Sequence, residues 1–443
     1  MASAAEQLAA NLSWKTFGKA KDLQRRILYT LLVLVVYRFG TYVPLPGINP
    51  QALQQLMQST QHGILGMFNA FSGGAVERMS ILALGIMPYI SASIIVQLMT
   101  SMVPSLEKLK KEGESGRRKI NQYTRYGTVA LAILQGWGIV AGLANQGTLI
   151  DGGAFYRVAT VAILVGGTMM LLWLGEQITA RGVGNGVSLI IFAGIVAEMP
   201  RAIGNLLQQG SQNIISPALI ISLIVFGLLV IAFVVFMERA QRRILVQYPK
   251  RQVGPQQMTG GESSHLPLKV NTAGVIPAIF ASSLLLLPMT VASFAGENAG
   301  GWLSTLTAAL GPGQPLYLLI YAALIIFFAF FYTAVVFNPA DVADNLKKQG
   351  GFIPGVRPGE RTAQYLDYVL TRLTAIGAVY MAAVCLLPEL MRARWTIPFY
   401  FGGTSLLIVV SVTMDTITQV QSHLIAHQYE GLIQKSRLRG KRR

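Results

Sequence analysis

Residues 64–98 read ILGMFNAFSGGAVERMSILALGIMPYISASIIVQL, and this stretch decides how the rest of the chain is interpreted. Its first apolar part, Ile64 to Phe71, has about eight residues, whereas a helix needs roughly 20 residues to cross a bilayer. Gly73 and Gly74 then allow the backbone to turn, and a longer apolar run with Pro88 inside it follows. Irregular backbone at membrane depth is tolerated only inside protein or beside a wet cavity. The stretch therefore predicts a half-helix that acts as the stopper of a pore, followed by a helix that forms one wall.

The composition is that of a polytopic membrane protein. Of the 443 residues, 52% are hydrophobic and 12% are charged, whereas about 25% are charged in an ordinary soluble domain. We predict an all-α membrane protein with ten transmembrane helices. The predicted spans are residues 27–43, 79–103, 126–143, 158–175, 184–199, 216–237, 272–295, 317–337, 373–391 and 398–418.

The basic residues predict the orientation of these spans. Thirty of the 36 Lys and Arg residues fall in the N-terminal segment, the even-numbered loops and the tail, which places both termini in the cytoplasm. Five spans on either side of a polar hinge then form two halves of opposite orientation, an inverted repeat. The predicted parts are a cytoplasmic N-terminal segment (1–26), a first half (27–199), a second half (216–418) and a basic cytoplasmic tail (419–443).

Two cytoplasmic loops are longer than a turn between helices requires. They comprise residues 238–270 and 338–370, and both contain Gly, Pro and basic residues. Each loop is flanked by a run that could extend its helix, so we expect stiff hairpins that stand off the membrane with basic residues at their tips. Charge alone is equally compatible with a loop that only sets topology, but the length favours a docking site for a large acidic partner, such as ribosomal RNA or an acidic protein face.

The sequence contains no recognisable catalytic or metal-binding motif. The glycine run RGVGNG (181–186) follows a transmembrane helix instead of a strand, so it does not fit a nucleotide-binding loop. The four His residues are scattered, and Cys385 is the single cysteine. We therefore predict that the chain is not an enzyme and carries no metal or cofactor.

Several long strings in the chain resemble the SecY/Sec61 alpha family of channel subunits. They include FNAFSGG (68–74), KKEGESGRRKINQYTRYGT (110–128), WLGEQITARGVGNG (173–186) and PFYFGGTSLLIVVSV (398–412). The resemblance implies an hourglass pore between two pseudo-symmetric five-helix halves and a plug at about residues 64–75. It also implies a protein-conducting channel for unfolded secretory polypeptides.

The resemblance also implies roles for individual residues. The pore ring falls on Ile86, Ile90, Val187, Ile191, Ile279 and Ile408. Val187 is one methylene smaller than the Ile expected at its position. The plug residues are Ile64, Leu65, Met67, Phe68, Phe71, Ser72, Gly73 and Gly74. Candidates for a polar seam in a lateral gate, through which signal sequences and membrane helices pass into lipid, are Ser91, Gln97 and Gln135.

The partners implied by the resemblance are of three kinds. SecE and SecG are the expected small membrane partners, and the SecA motor ATPase and the translating ribosome are expected on the cytoplasmic loops. The candidate docking residues are Arg357, Lys250, Arg251, Lys347 and Lys348. The sixth-loop tip reads VGPQQMTGG (253–261) where related sequences often carry an arginine pair. The implied location is the bacterial plasma membrane.

Two other functions compete with the channel. A secondary transporter for a small solute would also show an inverted repeat, but it would carry ionisable residues at mid-membrane. Here Asp415, near the inner end of the last span, is the clearest acidic candidate. An anchored scaffold for the ribosome would explain the basic loops, but the plug and the broken helices would have no role in it.

Overall fold

Ten helices of 16 or more residues dominate the described part of the chain, as seen in a computed structural model. The structure describes residues 20–49, 69, 72–145, 153–212, 216–248, 251–252, 258–259, 263–294, 311, 314–394 and 403–440. The long helices are α1 (Lys21–Gly40), α2 (Met87–Met102), α4 (Glu114–Asn145), α5 (Ala154–Arg181), α6 (Gly186–Ser211), α7 (Pro217–Arg239), α8 (Ile276–Phe294), α9 (Pro315–Val336), α11 (Glu360–Arg394) and α12 (Gly403–Gly440). Two short helices are α3 (Pro104–Lys111) and α10 (Pro339–Lys348).

The ten long helices coincide with the ten predicted spans. Among the described residues, seven helices are long and apolar enough to cross a membrane, and the bent pair of α2 and α3 would make eight. The chain is a multi-pass membrane protein of the predicted class. Several helices extend beyond the predicted limits: α1 begins at Lys21, α6 continues through Pro200 to Ser211, and α12 continues into the tail.

The second span differs from its prediction at its start. It was predicted from residue 79, with Pro88 in its interior, but residues 73–79 and 81–86 form turns and bends, and α2 begins at Met87. Met79 and Gly85 have φ angles of +39° and +57°, which a right-handed helix does not accommodate. Pro88 therefore lies in the first turn, where its missing N–H has no helical partner to lose.

The sixth loop contains β-structure that the sequence interpretation missed, since that interpretation extended the flanking helices. Strands β1 (Gln241–Gln247) and β4 (Ser263–Lys269) pair antiparallel, with Gln241 opposite Lys269. The short strands β2 (Arg251–Gln252) and β3 (Met258–Thr259) pair in the same way. Buried and exposed side chains alternate along β1, as expected for a strand with one face covered. Ile244 and Val246 are buried, while their neighbours are exposed.

The two long loops, residues 238–270 and 338–370, form one structural unit. Gln247 and Phe352 exchange two backbone hydrogen bonds of 2.9 Å. A small apolar core joins the hairpin to α10 and to the first turns of α11. Its buried members are Ile244, Val246, Leu268, Leu346, Ile353, Leu366 and Val369. The prediction that α11 extends into the eighth loop is confirmed, since α11 begins at Glu360, 13 residues before the predicted span.

The two halves of the chain meet along two lines of helix contacts. On one side α6 contacts α7 and α12, and on the other side α8 contacts α2 and α4. One large apolar cluster includes residues from all ten long helices. Helix α7 buries few residues and leaves many Leu, Ile and Phe side chains exposed, as expected for a surface that faces lipid.

Candidate functional site

The six candidate ring residues lie on four helices, two from each half. Ile86 and Ile90 stand at the start of α2, and Val187 and Ile191 stand in the first two turns of α6. Ile279 is in the first turn of α8, and Ile408 is in the second turn of α12.

All six aliphatic side chains join the same apolar cluster between the helices. The five isoleucines are buried members, each at most 8% exposed, and Val187 is partly buried and packs against the cluster. None of the five isoleucines therefore faces lipid. Ile86 and Ile90 are one helical turn apart, and so are Val187 and Ile191. Each pair therefore lies on one face of its helix.

The candidate plug residues that the structure describes are held by the C-terminal end of α1. Ser72, Gly73 and Gly74 are buried, while Ile64, Leu65, Met67, Phe68 and Phe71 lie outside the described residues. The Ser72 carbonyl accepts a hydrogen bond of 3.3 Å from Tyr37 Oη. The Gly73 carbonyl accepts one of 2.6 Å from Arg38 Nη1. We call residues 72–78 the plug base.

An ion-pair network that the sequence interpretation missed surrounds the plug base. Glu198 Oε1 on α6 lies 3.2 Å from Arg78 Nη2 and 3.5 Å from Arg38 Nη2. Arg201 Nη1 lies 3.7 Å from Glu198 Oε2 and 3.1 Å from Glu77 Oε2. In the sequence, Glu77 and Arg78 are two adjacent charged residues between apolar runs. Their partners are more than 100 positions away, so no local pattern signals the contact.

The candidate seam residues lie on α2 and α4, two helices of the first half that contact α8. Ser91 and Gln135 are buried, and Gln97 is half-buried with its Nε2 3.3 Å from Ser93 Oγ. The buried Oε1 atoms of Gln97 and Gln135 have no hydrogen-bond partner among the described residues, and the same holds for Ser283 Oγ on α8. A buried polar group without a partner costs about 1–3 kcal/mol.

The described candidate docking residues are exposed on the loop unit. Arg357 lies in the turn between α10 and α11, and its carbonyl accepts a hydrogen bond of 2.8 Å from Thr362 Oγ1. Lys347 and Lys348 are exposed at the end of α10. Lys250 and the side chain of Arg251 lie outside the described part of the chain.

Buried charge is scarce in the described part of the chain. Glu389, near the end of α11, is the one buried charged side chain among the described residues. The same residues include no cluster of three or more His, Cys, Asp and Glu side chains with a geometry for metal. Cys385 is buried, with Sγ 3.9 Å from Thr404 Oγ1.

Comparison with known proteins decides the family. The family model described as SecY matches residues 80–417. This chain belongs to the SecY family. The protein translocase subunit SecY of Pseudomonas aeruginosa is 56% identical over 430 residues, with 97% of both chains covered.

Two solved structures resemble the fold across most of its length. One is described as "The plug domain of the SecY protein stablizes the closed state of the translocation channel and maintains a membrane seal" (TM-score 0.66, 17% identity, 90% of this chain and 92% of the other). The second is "Sec61 in the Canine ribosome-channel complex from the endoplasmic reticulum" (TM-score 0.65, 15% identity, 90% and 92%). At these identities the likeness to the two SecY-family structures concerns the fold alone.

Proposed function

We propose that this chain is the pore-forming subunit of a protein translocase and conducts unfolded polypeptide between its two halves. The observation that carries the proposal is the burial of five isoleucines in one apolar cluster. They come from α2, α6, α8 and α12, and α2 contacts α8 while α6 contacts α12 across the two halves. Full-length similarity to the translocase subunit of Pseudomonas aeruginosa supports it. The translocating halves correspond to residues 27–199 and 216–418.

A ring of aliphatic side chains suits this task for a physical reason. Branched hydrocarbon offers no hydrogen bond to water, so a narrow apolar constriction dewets when it is empty and blocks ions. The same side chains deform around any passing residue and bind none of them specifically. The pore ring of Ile86, Ile90, Val187, Ile191, Ile279 and Ile408, with the plug at residues 64–75, would thus seal the resting channel.

The contacts of α8 with α2 and α4 support a lateral exit into lipid. Each Leu, Ile, Phe or Val at the centre of a helix favours the membrane by about 0.3–0.6 kcal/mol, whereas Asp, Lys or Arg costs about 2.5–3.5 kcal/mol. Sorting is then a partition between pore and lipid and needs no chemical step. Gln97 and Gln135 carry buried unpaired atoms beside this exit, so the closed seam can open at low cost.

The cytoplasmic loop unit is the proposed docking surface for the ribosome and the SecA motor ATPase. Its exposed basic residues include Arg357, Lys347 and Lys348. The basic charge suits the phosphates of ribosomal RNA and an acidic face of a motor protein. The Sec61 relative of similar fold was solved in a ribosome-channel complex.

SecE and SecG complete the proposed complex as small membrane partners. An apolar groove lies between α6, α7 and α12, with Leu207, Leu228 and Val409 among its lining residues. Its position where the halves join suits a transmembrane helix that bridges them. The proposed location is the bacterial plasma membrane with both termini in the cytoplasm, on the distribution of basic residues.

The ring is tested by making it polar. Serine at both Ile86 and Ile90 lets water enter the constriction, so the ion conductance of the resting complex in planar bilayers should rise. The matched control is serine at both Ile221 and Ile224, two isoleucines of α7 that are 63% and 54% exposed. The control should keep the low resting conductance. An unchanged conductance in the Ile86→Ser, Ile90→Ser variant would contradict the proposal.

A further inference from the structure

The plug base is held by charges contributed by three separate parts of the chain. Arg38 lies in the last turn of α1, Arg78 ends the plug base, and Glu198 and Arg201 lie on α6. Glu198 contacts all three arginines at 3.2–3.7 Å. A single carboxylate thus connects the plug base to two long helices.

Partial burial strengthens these contacts. The side chain of Glu198 is 19% exposed, and those of Arg38 and Arg78 are 27% and 21% exposed. Ion pairs at this depth are screened less by salt than fully exposed pairs. Both guanidinium groups also lie over the ring of Tyr42, at 5.1 and 4.2 Å from its centroid, so a cation–π attraction adds to the ion pairs.

The two glycines of the plug base are required by the same arrangement. A Cβ at Gly74 would lie 2.4 Å from Glu198 Oε1 and 2.6 Å from Arg78 Nη2. A Cβ at Gly73 would lie 2.8 Å from Gly194 Cα on α6. Both glycines have positive φ, +67° at Gly73 and +80° at Gly74. The backbone therefore approaches α6 as closely as it does only because neither position has a side chain.

Further contacts orient the plug base relative to Glu198 and the helices α1 and α6. Arg38 also donates to the Gly73 carbonyl, so one guanidinium binds both the carboxylate and the backbone. Asn69 Oδ1 accepts from the Glu77 N–H at 2.9 Å, and Asn69 Nδ2 donates to Glu77 Oε2 at 3.3 Å. Glu77 in turn pairs with Arg201. The chain on both sides of the two glycines is thereby fixed to α1 and α6.

We infer that Glu198 is the positioning residue of a charged latch, formed with Arg38, Arg78, Arg201 and Glu77, that holds the plug base in the closed channel. The inference rests on the proposed function, in which residues 64–75 close the pore. Opening displaces the plug base from α6 and separates Arg78 from Glu198. The latch therefore sets the ratio of closed to open channels at rest, while the aliphatic ring sets the tightness of the seal.

The test measures resting conductance of the complex with its small membrane partners in planar bilayers, without precursor. Glu198→Gln keeps the size of the side chain and removes its charge. We expect its open fraction to rise about tenfold, which corresponds to about 1.4 kcal/mol. The matched control is Glu176→Gln, which removes a carboxylate paired with Arg125 at 2.7 Å away from the plug base. It should leave the resting conductance unchanged.

Two further readouts separate a latch from a general structural role. Salt weakens ion pairs, since the Debye length falls from about 10 Å at 0.1 M to about 3 Å at 1 M. High salt should therefore raise the open fraction of the unmodified complex and have little effect on Glu198→Gln. Arg78→Gln combined with Glu198→Gln should open the channel no more than the larger single effect, because the two residues form one contact. Additive effects of the two substitutions would overturn the inference.

Deletion of residues 64–75 distinguishes the latch from the plug itself. If this deletion raises the resting conductance and Glu198→Gln does not, the latch is refuted and the plug stands. If the deletion also has no effect, the proposed plug fails as well. Should Glu198→Gln not assemble, Arg201→Gln repeats the test, since that side chain is 52% exposed. Its expected rise in open fraction is about threefold, and an unchanged conductance would again refute the latch.

Discussion

Alanine at Gly74 provides a quantitative test of how the plug base is seated. The backbone there has φ +80°, a region that costs a residue with a Cβ roughly 1–2 kcal/mol. The new Cβ would also lie 2.4 Å from Glu198 Oε1, about 1 Å inside ordinary contact, so the carboxylate must move away from Arg78. Loss of that pair costs up to about 1 kcal/mol.

Together these terms destabilise the closed arrangement by about 1–3 kcal/mol. At about 1.4 kcal/mol for each factor of ten, the ratio of open to closed channels should rise by roughly 5- to 100-fold. The assay is the resting conductance of the assembled complex in planar bilayers, with thermal unfolding of the same preparation as a check on folding.

Gly113 supplies the matched control for the Gly74 experiment. It has nearly the same backbone conformation, φ +81°, but an added Cβ would have no heavy atom within 4 Å. Gly113→Ala therefore introduces the backbone strain alone, in the turn between α3 and α4, and should not change conductance. If Gly74→Ala conducts no more than Gly113→Ala, the close contact between plug base and α6 does not stabilise the closed state, and the reasoning is refuted.

Three more predictions concern the plug, the docking loops and the seam. Deleting residues 64–75 should raise resting conductance, because only the ring then closes the pore; a conductance as low as that of the intact chain would contradict the plug. Arg357→Glu should slow motor-driven export into proteoliposomes, whereas Arg117→Glu, an equally exposed change in the second loop, should not; equal rates would remove Arg357 from the docking surface. Leucine at Gln97 and Gln135 removes unpaired polar atoms and stabilises the closed seam, so precursors with weakly apolar signal sequences should be exported more slowly. Unchanged export of those precursors would show that the two side chains do not control the exit.

Periodicity and composition were sufficient for the membrane helices. The number and order of the spans follow from apolar runs near 20 residues, and each run corresponds to a long helix. Local backbone features were harder to predict. The start of α2 depends on positive φ at Met79 and Gly85, and hydropathy carries no information on φ.

The structure of the sixth loop was also not predictable from local sequence. Its strand β1 alternates buried and exposed residues only over Arg243 to Gln247, too short a pattern to compete with the helix that precedes it. The hairpin is fixed by contacts with Phe352 and the eighth loop, about 100 residues further along the chain. Tertiary contact therefore decides a structure that local sequence leaves open.

In the candidate site, too, local sequence identifies some residues and tertiary contact alone brings others together. The ring residues came from resemblance to a family, because aliphatic pairs on membrane helices are too common to single out by spacing. The charged latch around Glu198 was not predicted at all, since Arg38 and Glu198 are 160 residues apart and meet only when α1, α6 and the plug base pack together. Charged residues near the ends of predicted apolar spans, such as Arg38 in 27–43 and Glu198 in 184–199, are the one signal that could have identified it.

Site-specific crosslinking from the ring to a moving precursor tests the central claim most directly. A photoreactive residue replaces Ile90, which is 6% exposed and belongs to the large apolar cluster, and a second variant carries it at Ile221 on the exposed face of α7. A secretory precursor stalled in transit should form an adduct at position 90 and none at position 221. Efficient export with no adduct at position 90 would contradict passage of the polypeptide through the aliphatic ring.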